Sequence, residues 1–368
     1  MTKPFTLIFL FLIACNADTS ESSASRIDPN KRDLPVQNNE QISSDAGKVL
    51  DRGKSRDQGT LKDVGDDGGR DPGLDMDKVK DATQDPPEIL RFVAIGDQGE
   101  GNQKQYDVGV SMGKVCDALG GCDFGLLLGD NFYDSGVDSV NDDMFNSHFA
   151  MPYNHLDFPF YAVLGNHDLG GGGLGIDLDR SKADYQIRYS QMNPKWIMPS
   201  EYYSFSAGPV FFAGLDTTDI FFRGDSDQER DIPAWASSAG TKWKIAFGHH
   251  PYISNGKHGN AGEYDGVKFL PIANGEYIED FVKDHICGKY DFYLAGHDHS
   301  RQDLVSKCGT EFIVSGAGAK TTEIKGNNPN HFQSDKEGFL LMEATESTMK
   351  IQFYDKDGNL DHTRRVTR

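Results

Sequence analysis

Five short segments after residue 90 each close an apolar run with a glycine and then a polar residue able to bind a metal. They are Gly96-Asp97-Gln98-Gly99, Gly129-Asp130-Asn131-Phe132-Tyr133, Gly165-Asn166-His167-Asp168, Gly248-His249-His250 and Gly296-His297-Asp298-His299. The set serves both an oxygen-preferring cation and one that takes imidazole nitrogen. Random placement of Asp, Tyr, Asn and His would not put every cluster directly after such a glycine. The chain must therefore fold so that five strand ends reach one place.

The intervening pattern shows how. Residues 90–95 read as a buried strand, and 102–119 as a helix with Val108, Met112, Val115 and Leu119 on one face. Residues 124–128, 160–164, 210–215, 243–247 and 291–295 are further apolar strands. Residues 179–190 and 226–236 read as helices, the second interrupted by Pro233. After His299 the pattern turns β-rich, at 302–305, 311–314, 339–343 and 350–354. Alternation followed by a β-rich rear predicts an α/β fold of two packed sheets with helices outside. Ligands in open α/β sheets bind beyond the carboxyl ends of strands, where all five clusters fall.

The rest of the 368-residue chain divides into two polar or short segments. Residues 1–15 carry Lys3, a short apolar run and Leu12-Ile13-Ala14-Cys15, the pattern of a signal peptide with a bacterial lipobox. Lipidation at Cys15 and ordinary cleavage after Ala17 are the two readings; the run is too short for a retained span. Lipidation would tie an exported protein to the bacterial envelope, in the periplasm or on the cell surface. Residues 16–88 lack aromatics and hold 17 acidic and 11 basic residues, so they read as a disordered polar tether before a folded part at 89–368. That leaves most of the net charge of −20 on the folded part, which argues against nucleic acid or an anionic membrane as partner. Membrane contact is then expected only through the lipid. An even set of four further cysteines permits Cys116–Cys122 and Cys287–Cys308 disulfides, with four buried thiols as the alternative.

Hydrolysis of a phosphate ester needs a nucleophile and neutralisation of charge, which two metal ions about 3.5–4 Å apart supply together. Asp97, Asp130, Tyr133, Asn166, His249, His297 and His299 are seven candidate ligands. The five ordered blocks resemble those of purple acid phosphatases, most closely the small tartrate-resistant type, within the calcineurin-like metallophosphoesterase superfamily. Leu215-Asp216-Thr217 and Gly256-Lys257-His258-Gly259 extend the resemblance. It implies a metallophosphoesterase-like four-layer αββα sandwich of two mixed sheets. It also implies an acid phosphatase that hydrolyses small phosphate monoesters with a metal-bound hydroxide.

By the same resemblance Asp97, Tyr133 and His299 hold Fe³⁺, and Asn166, His249 and His297 hold a divalent ion (Fe²⁺, Zn²⁺ or Mn²⁺). Asp130 bridges the two. Tyr133 discriminates, because a phenol of ordinary pKa about 10 ionises at acid pH only on a strongly Lewis-acidic ion. Charge is consistent: the ions bring +5, the two carboxylates and the phenolate −3, and a hydroxide leaves +1 for an anionic substrate. The resemblance places His167 and His258 at the substrate as phosphate contacts or general acids, and Asp168 is a candidate to orient His167, or else a capping or turn residue. The glycines are expected to let the backbone turn sharply. His250, Trp196 and Trp243 read as structural, and Gly170 to Gly173 as a loop at the substrate mouth. A phosphodiesterase or nucleotide-directed enzyme, and a non-catalytic surface lipoprotein, are the competing functions. A monomer is expected.

Overall fold

The computed structural model describes residues 89–173, 178–224 and 227–368. The lipobox segment at 1–15, Cys15 and the tether at 16–88 lie outside the described residues.

Fourteen strands form the frame among the described residues: β1 Leu90–Ile95, β2 Phe124–Leu127, β3 Phe160–Ala162, β4 Trp196–Ile197, β5 Tyr203–Ala207, β6 Val210–Gly214 and β7 Trp243–Phe247. They continue as β8 Phe292–Ala295, β9 Arg301–Leu304, β10 Glu311–Ser315, β11 Asn330–Ser334, β12 Gly338–Ala344, β13 Thr348–Asp355 and β14 Leu360–Thr367. They make two seven-stranded mixed sheets, ordered β14-β13-β12-β1-β2-β3-β4 and β11-β9-β10-β8-β7-β6-β5. In the first sheet β1 runs parallel to β2, and β2 to β3; in the second β6, β7 and β8 run parallel.

Alternation of side chains across a strand assigns the layers. Phe92 and Ala94 of β1 enter the core between the sheets with Phe212, Ile245, Phe247 and Phe292 of the second sheet. Val93 and Ile95 point the other way, into the core under helix Gln103–Ala118 with Val108, Met112 and Val115. Ala246 and Tyr293 face a third core under helix Gln228–Ser238 and helix Glu276–Phe281. The order is helix, sheet, sheet, helix, the four-layer αββα architecture. Because both faces of β1 are covered, Phe92 to Ile95 form a continuous apolar run and not an alternating one.

Local chemistry fixes the helix bounds. The Asn102 side chain caps helix Gln103–Ala118 by accepting from the Gln105 amide at 3.0 Å. Helix Gln228–Ser238 continues through Pro233, held by the buried Ile232 and Ala236 on its inner face. Cys116 is bonded to Cys122 and Cys287 to Cys308.

Candidate metal centre

The carboxyl ends of five parallel strands face one seam between the sheets. β1 leads to Asp97, β2 to Asp130 and Tyr133, and β3 to Asn166 and His167. From the other sheet β7 leads to His249, and the turn between β8 and β9 carries His297 and His299. Backbone bonds sew the seam shut: Gly96 N donates to Ser315 O at 2.7 Å, and the Ser315 hydroxyl to Ala94 O at 2.9 Å.

All seven predicted ligands meet there, in two groups that share one atom. The Tyr133 hydroxyl lies 2.7 Å from Asp130 Oδ2, 3.0 Å from Asp97 Oδ1 and 3.3 Å from His299 Nε2. His249 Nε2 lies 2.9 Å from Asn166 Oδ1, 3.2 Å from His297 Nδ1 and 3.4 Å from Asp130 Oδ2. Asp130 Oδ2 belongs to both groups. Asp97, Asp130 and His249 offer ligand atoms within 4.8 Å of one another, and all three side chains are buried.

The donor set fits two cations. Ligands held at 2.0–2.2 Å from an ion stand about 3 Å apart, the spacing found in both groups. One phenolic proton cannot satisfy two carboxylates, and buried acidic oxygens packed this closely repel unless positive charge lies among them. The protein's own electrostatics record the crowding. Burial, then Asp130 and Asp97, push the Tyr133 phenol well above its usual range. Burial opposes the charge on Asp130, yet His249 and His167 hold its carboxyl well below the usual value. His249 is also disfavoured by burial as a cation, but Asp130 and Asp97 raise it to about 9. Burial, then His258, His250 and His249, push His297 well below its usual value, so that imidazole is neutral and its nitrogens can bind an ion.

The backbone of the site corrects one expectation. Of the five block glycines only Gly129 takes a positive φ, 88°. The sharp turns are made by the functional residues themselves: φ is 56° at Asp97, 53° at Asp130 and 67° at His297. The conformation costs on the order of 1–3 kcal/mol at each such position and persists only where the surroundings impose it. Gly165 serves close approach instead, since a Cβ there would stand 2.2 Å from the Asp130 amide nitrogen and from its Oδ1.

His167 and His258 flank the two groups. The His167 ring is 4.6 Å from that of Tyr133, and its Nδ1 is 2.7 Å from the Asp134 carbonyl. The His258 ring stacks 4.3 Å from His297, with Nδ1 3.0 Å from Asp265 Oδ1. Asp168 does not orient the His167 imidazole. Its buried carboxylate accepts from the backbone amides of Asn131 at 3.0 Å, Phe132 at 3.1 Å and Gly165 at 2.8 Å, and so ties the β2 and β3 loops together. Burial and then Asp130 push its carboxyl up to about 7. His250 is buried beside the ligands, its ring 4.7 Å from that of His297, but its Nδ1 is taken up by the Thr217 hydroxyl at 3.0 Å and its ring stacks on Phe221. Trp196 and Trp243 are buried in the cores.

Several supporting residues were not foreseen. Thr217 Oγ1 accepts from the amides of both His249 and His250 at 3.0 Å. Asp298 Oδ1 accepts from the His258 amide at 2.8 Å, and Asp265 fixes the His258 ring. Of these, Thr217 and Asp298 lay inside segments that the sequence singled out, while Asp265 had no motif to mark it.

Residues 90–301 match the family of calcineurin-like phosphoesterases, and the chain belongs to that family. Within it the chain groups with the purple acid phosphatases. It is 30% identical to purple acid phosphatase 4 of Arabidopsis thaliana over 75% of this chain and 83% of that protein. It is 29% identical to tartrate-resistant acid phosphatase type 5 of Oryctolagus cuniculus, over 73% of this chain and 88% of that one. Among solved structures, GAP50, the anchor in the inner membrane complex of Plasmodium, shares the fold, with a TM-score of 0.60 and 21% identity over 76% of this chain and 89% of that chain. The protein is thus a metal-dependent hydrolase of the phosphatase class.

Removing the Asp168 carboxylate would leave three buried amides without an acceptor. Asp168→Ala is expected to cost about 3–5 kcal/mol of stability, and Asp168→Asn distinctly less, as read by denaturant unfolding of the two variants beside the parent.

Proposed function

We propose that this protein is an exported acid phosphatase that hydrolyses small phosphate monoesters with a dinuclear Fe³⁺–divalent centre. The observation that carries the reading is the Tyr133 hydroxyl enclosed by Asp97, Asp130 and His299. A phenol in so acidic a nest ionises only beside an ion of high charge, which selects a ferric ion over zinc for that group. Asp97, Tyr133 and His299 would hold it; Asn166, His249 and His297 would hold the divalent ion; Asp130 would serve both. When bound, such a pair neutralises phosphate charge and acidifies a water for attack.

The chain's own residues do the rest. His167 and His258 are each anchored through Nδ1, by the Asp134 carbonyl and by Asp265, so Nε2 is the atom each can offer to a substrate. They would bind phosphate oxygens and hand a proton to the departing alkoxide. Burial disfavours protonated His258, but Asp265 and Asp298 outweigh it and raise the group above its usual value. The local positive charge of the centre lets an anion bind to a protein whose net charge is −20. The export and lipid attachment of this reading rest on Lys3, the apolar run after it and Leu12-Ile13-Ala14-Cys15.

Iron-loaded protein is expected to be violet or pink and to hydrolyse an aryl phosphate at mildly acid pH. Tyr133→Phe should lose the visible band while keeping the fold, and Asp130→Asn should lose metal and nearly all turnover. A colourless, inactive iron-loaded preparation would refute the reading, and faster turnover of diesters than monoesters would move it to a phosphodiesterase. A general acid works protonated, so activity falls as pH rises through its pKa. Asp265→Asn lowers the His258 pKa and should shift the alkaline limb of the kcat/KM profile to lower pH; an unmoved limb removes His258 from that role. In cells, Cys15→Ala should release the protein from the membrane fraction to the soluble one, and unchanged fractionation would count against the anchor.

A further inference from the structure

One cation of the chain stands directly against the ligand that distinguishes this centre. Lys320 Nζ lies 3.3 Å from the centroid of the Tyr133 ring, while the ring's hydroxyl faces Asp97, Asp130 and His299. A lysine stem often lies across an aromatic ring as packing. Here it is the ammonium that sits over the ring, and three contacts hold it there. Glu100 Oε1 binds it at 2.6 Å. Asn102 Nδ2 donates to the Ala319 carbonyl at 3.1 Å, and the Thr322 amide to the His299 carbonyl at 3.0 Å, so the loop is pinned on both sides of Lys320. The Tyr133 amide donates to Gly99 O at 2.8 Å, which ties the ring to the turn that carries Glu100.

We propose that Lys320, held over the Tyr133 ring by Glu100 and a pinned loop, sets the electron-donating strength of that ring toward the ion it binds. Lys320 is a positioning and tuning residue, not one that touches the reacting atoms. The inference rests on Tyr133 being an iron ligand, as read above. A positive charge over the ring stabilises its π electrons. It therefore widens the gap that light must bridge to move an electron from phenolate to ferric ion. It also makes the phenolate a weaker donor, which leaves the ferric ion easier to reduce.

The test uses full-length, iron-loaded protein, with iron content measured in each variant. Lys320→Met is expected to move the visible maximum to longer wavelength by roughly 10–30 nm, the scale of a cation–ring attraction, and to make the iron harder to reduce. Lys320→Arg should keep the maximum near the parent's, because it restores the charge. Should Lys320→Met fail to fold, Lys320→Gln carries the same expectation. The inference is overturned if a variant without the charge binds iron like the parent and keeps its maximum and potential, or if Lys320→Arg shifts as far as Lys320→Met. A parent that binds iron without colour defeats the Tyr133 ligand reading and this inference with it. A coloured parent with unmoved variants defeats this inference alone.

Discussion

Mutual repulsion among buried acidic oxygens is the constraint around which this molecule is arranged. Asp97, Asp130 and Tyr133 bring three such oxygens to within about one hydrogen-bond length of a common point, deep in the seam between two sheets. The fold tolerates them because each is held by structure formed for other reasons. Asp97 Oδ2 accepts from the His297 amide at 2.8 Å, and Asp130 Oδ1 from the His167 amide at 3.0 Å. The remaining oxygens and the imidazoles of His249, His297 and His299 stay turned toward one another, an arrangement whose natural complement is a cation.

Holding that arrangement requires local strain, and the rigid frame supports it. Left-handed backbone at Asp97, Asp130 and His297 would relax in an isolated loop. Each of these residues follows a fully buried strand within a few positions, and the loops are cross-linked by Asp168, Thr217 and the backbone contacts between sheets. Residues outside the ligand set, Asp168 and Thr217 among them, hold the loops that carry it, as metal sites generally require.

The sequence made the central strands and the ligand blocks legible because both depend on local chemistry. β1, β2 and β7 are covered on both faces and so are mainly apolar, broken only by Arg91 and Lys244 near their starts, and each ligand follows its run closely. The four strands that went unread, β4, β5, β11 and β14, are the four outer edges of the two sheets. Edge strands carry polar, half-exposed residues, as in Asn330–Ser334 and Leu360–Thr367, and lose the signal that marks a core strand. The sequence left Asp168 between orienting His167 and capping a turn, because adjacency to His167 said nothing of three amides from two different loops. Lys320 and Glu100 were invisible for the same reason: 220 positions separate them, and only the fold brings them together over one ring.

The pairing of β1 carries a consequence for assembly of the fold. This strand, which leads to Asp97, lies between β2 on one side and β12 on the other, and β12 is Gly338–Ala344, near the end of the chain. Some 240 positions of chain therefore separate the first ligand strand from one of its two neighbours. The sheet beside Asp97 thus closes only through a long-range contact, and the entropy of closing so long a loop must be met before that contact rewards it.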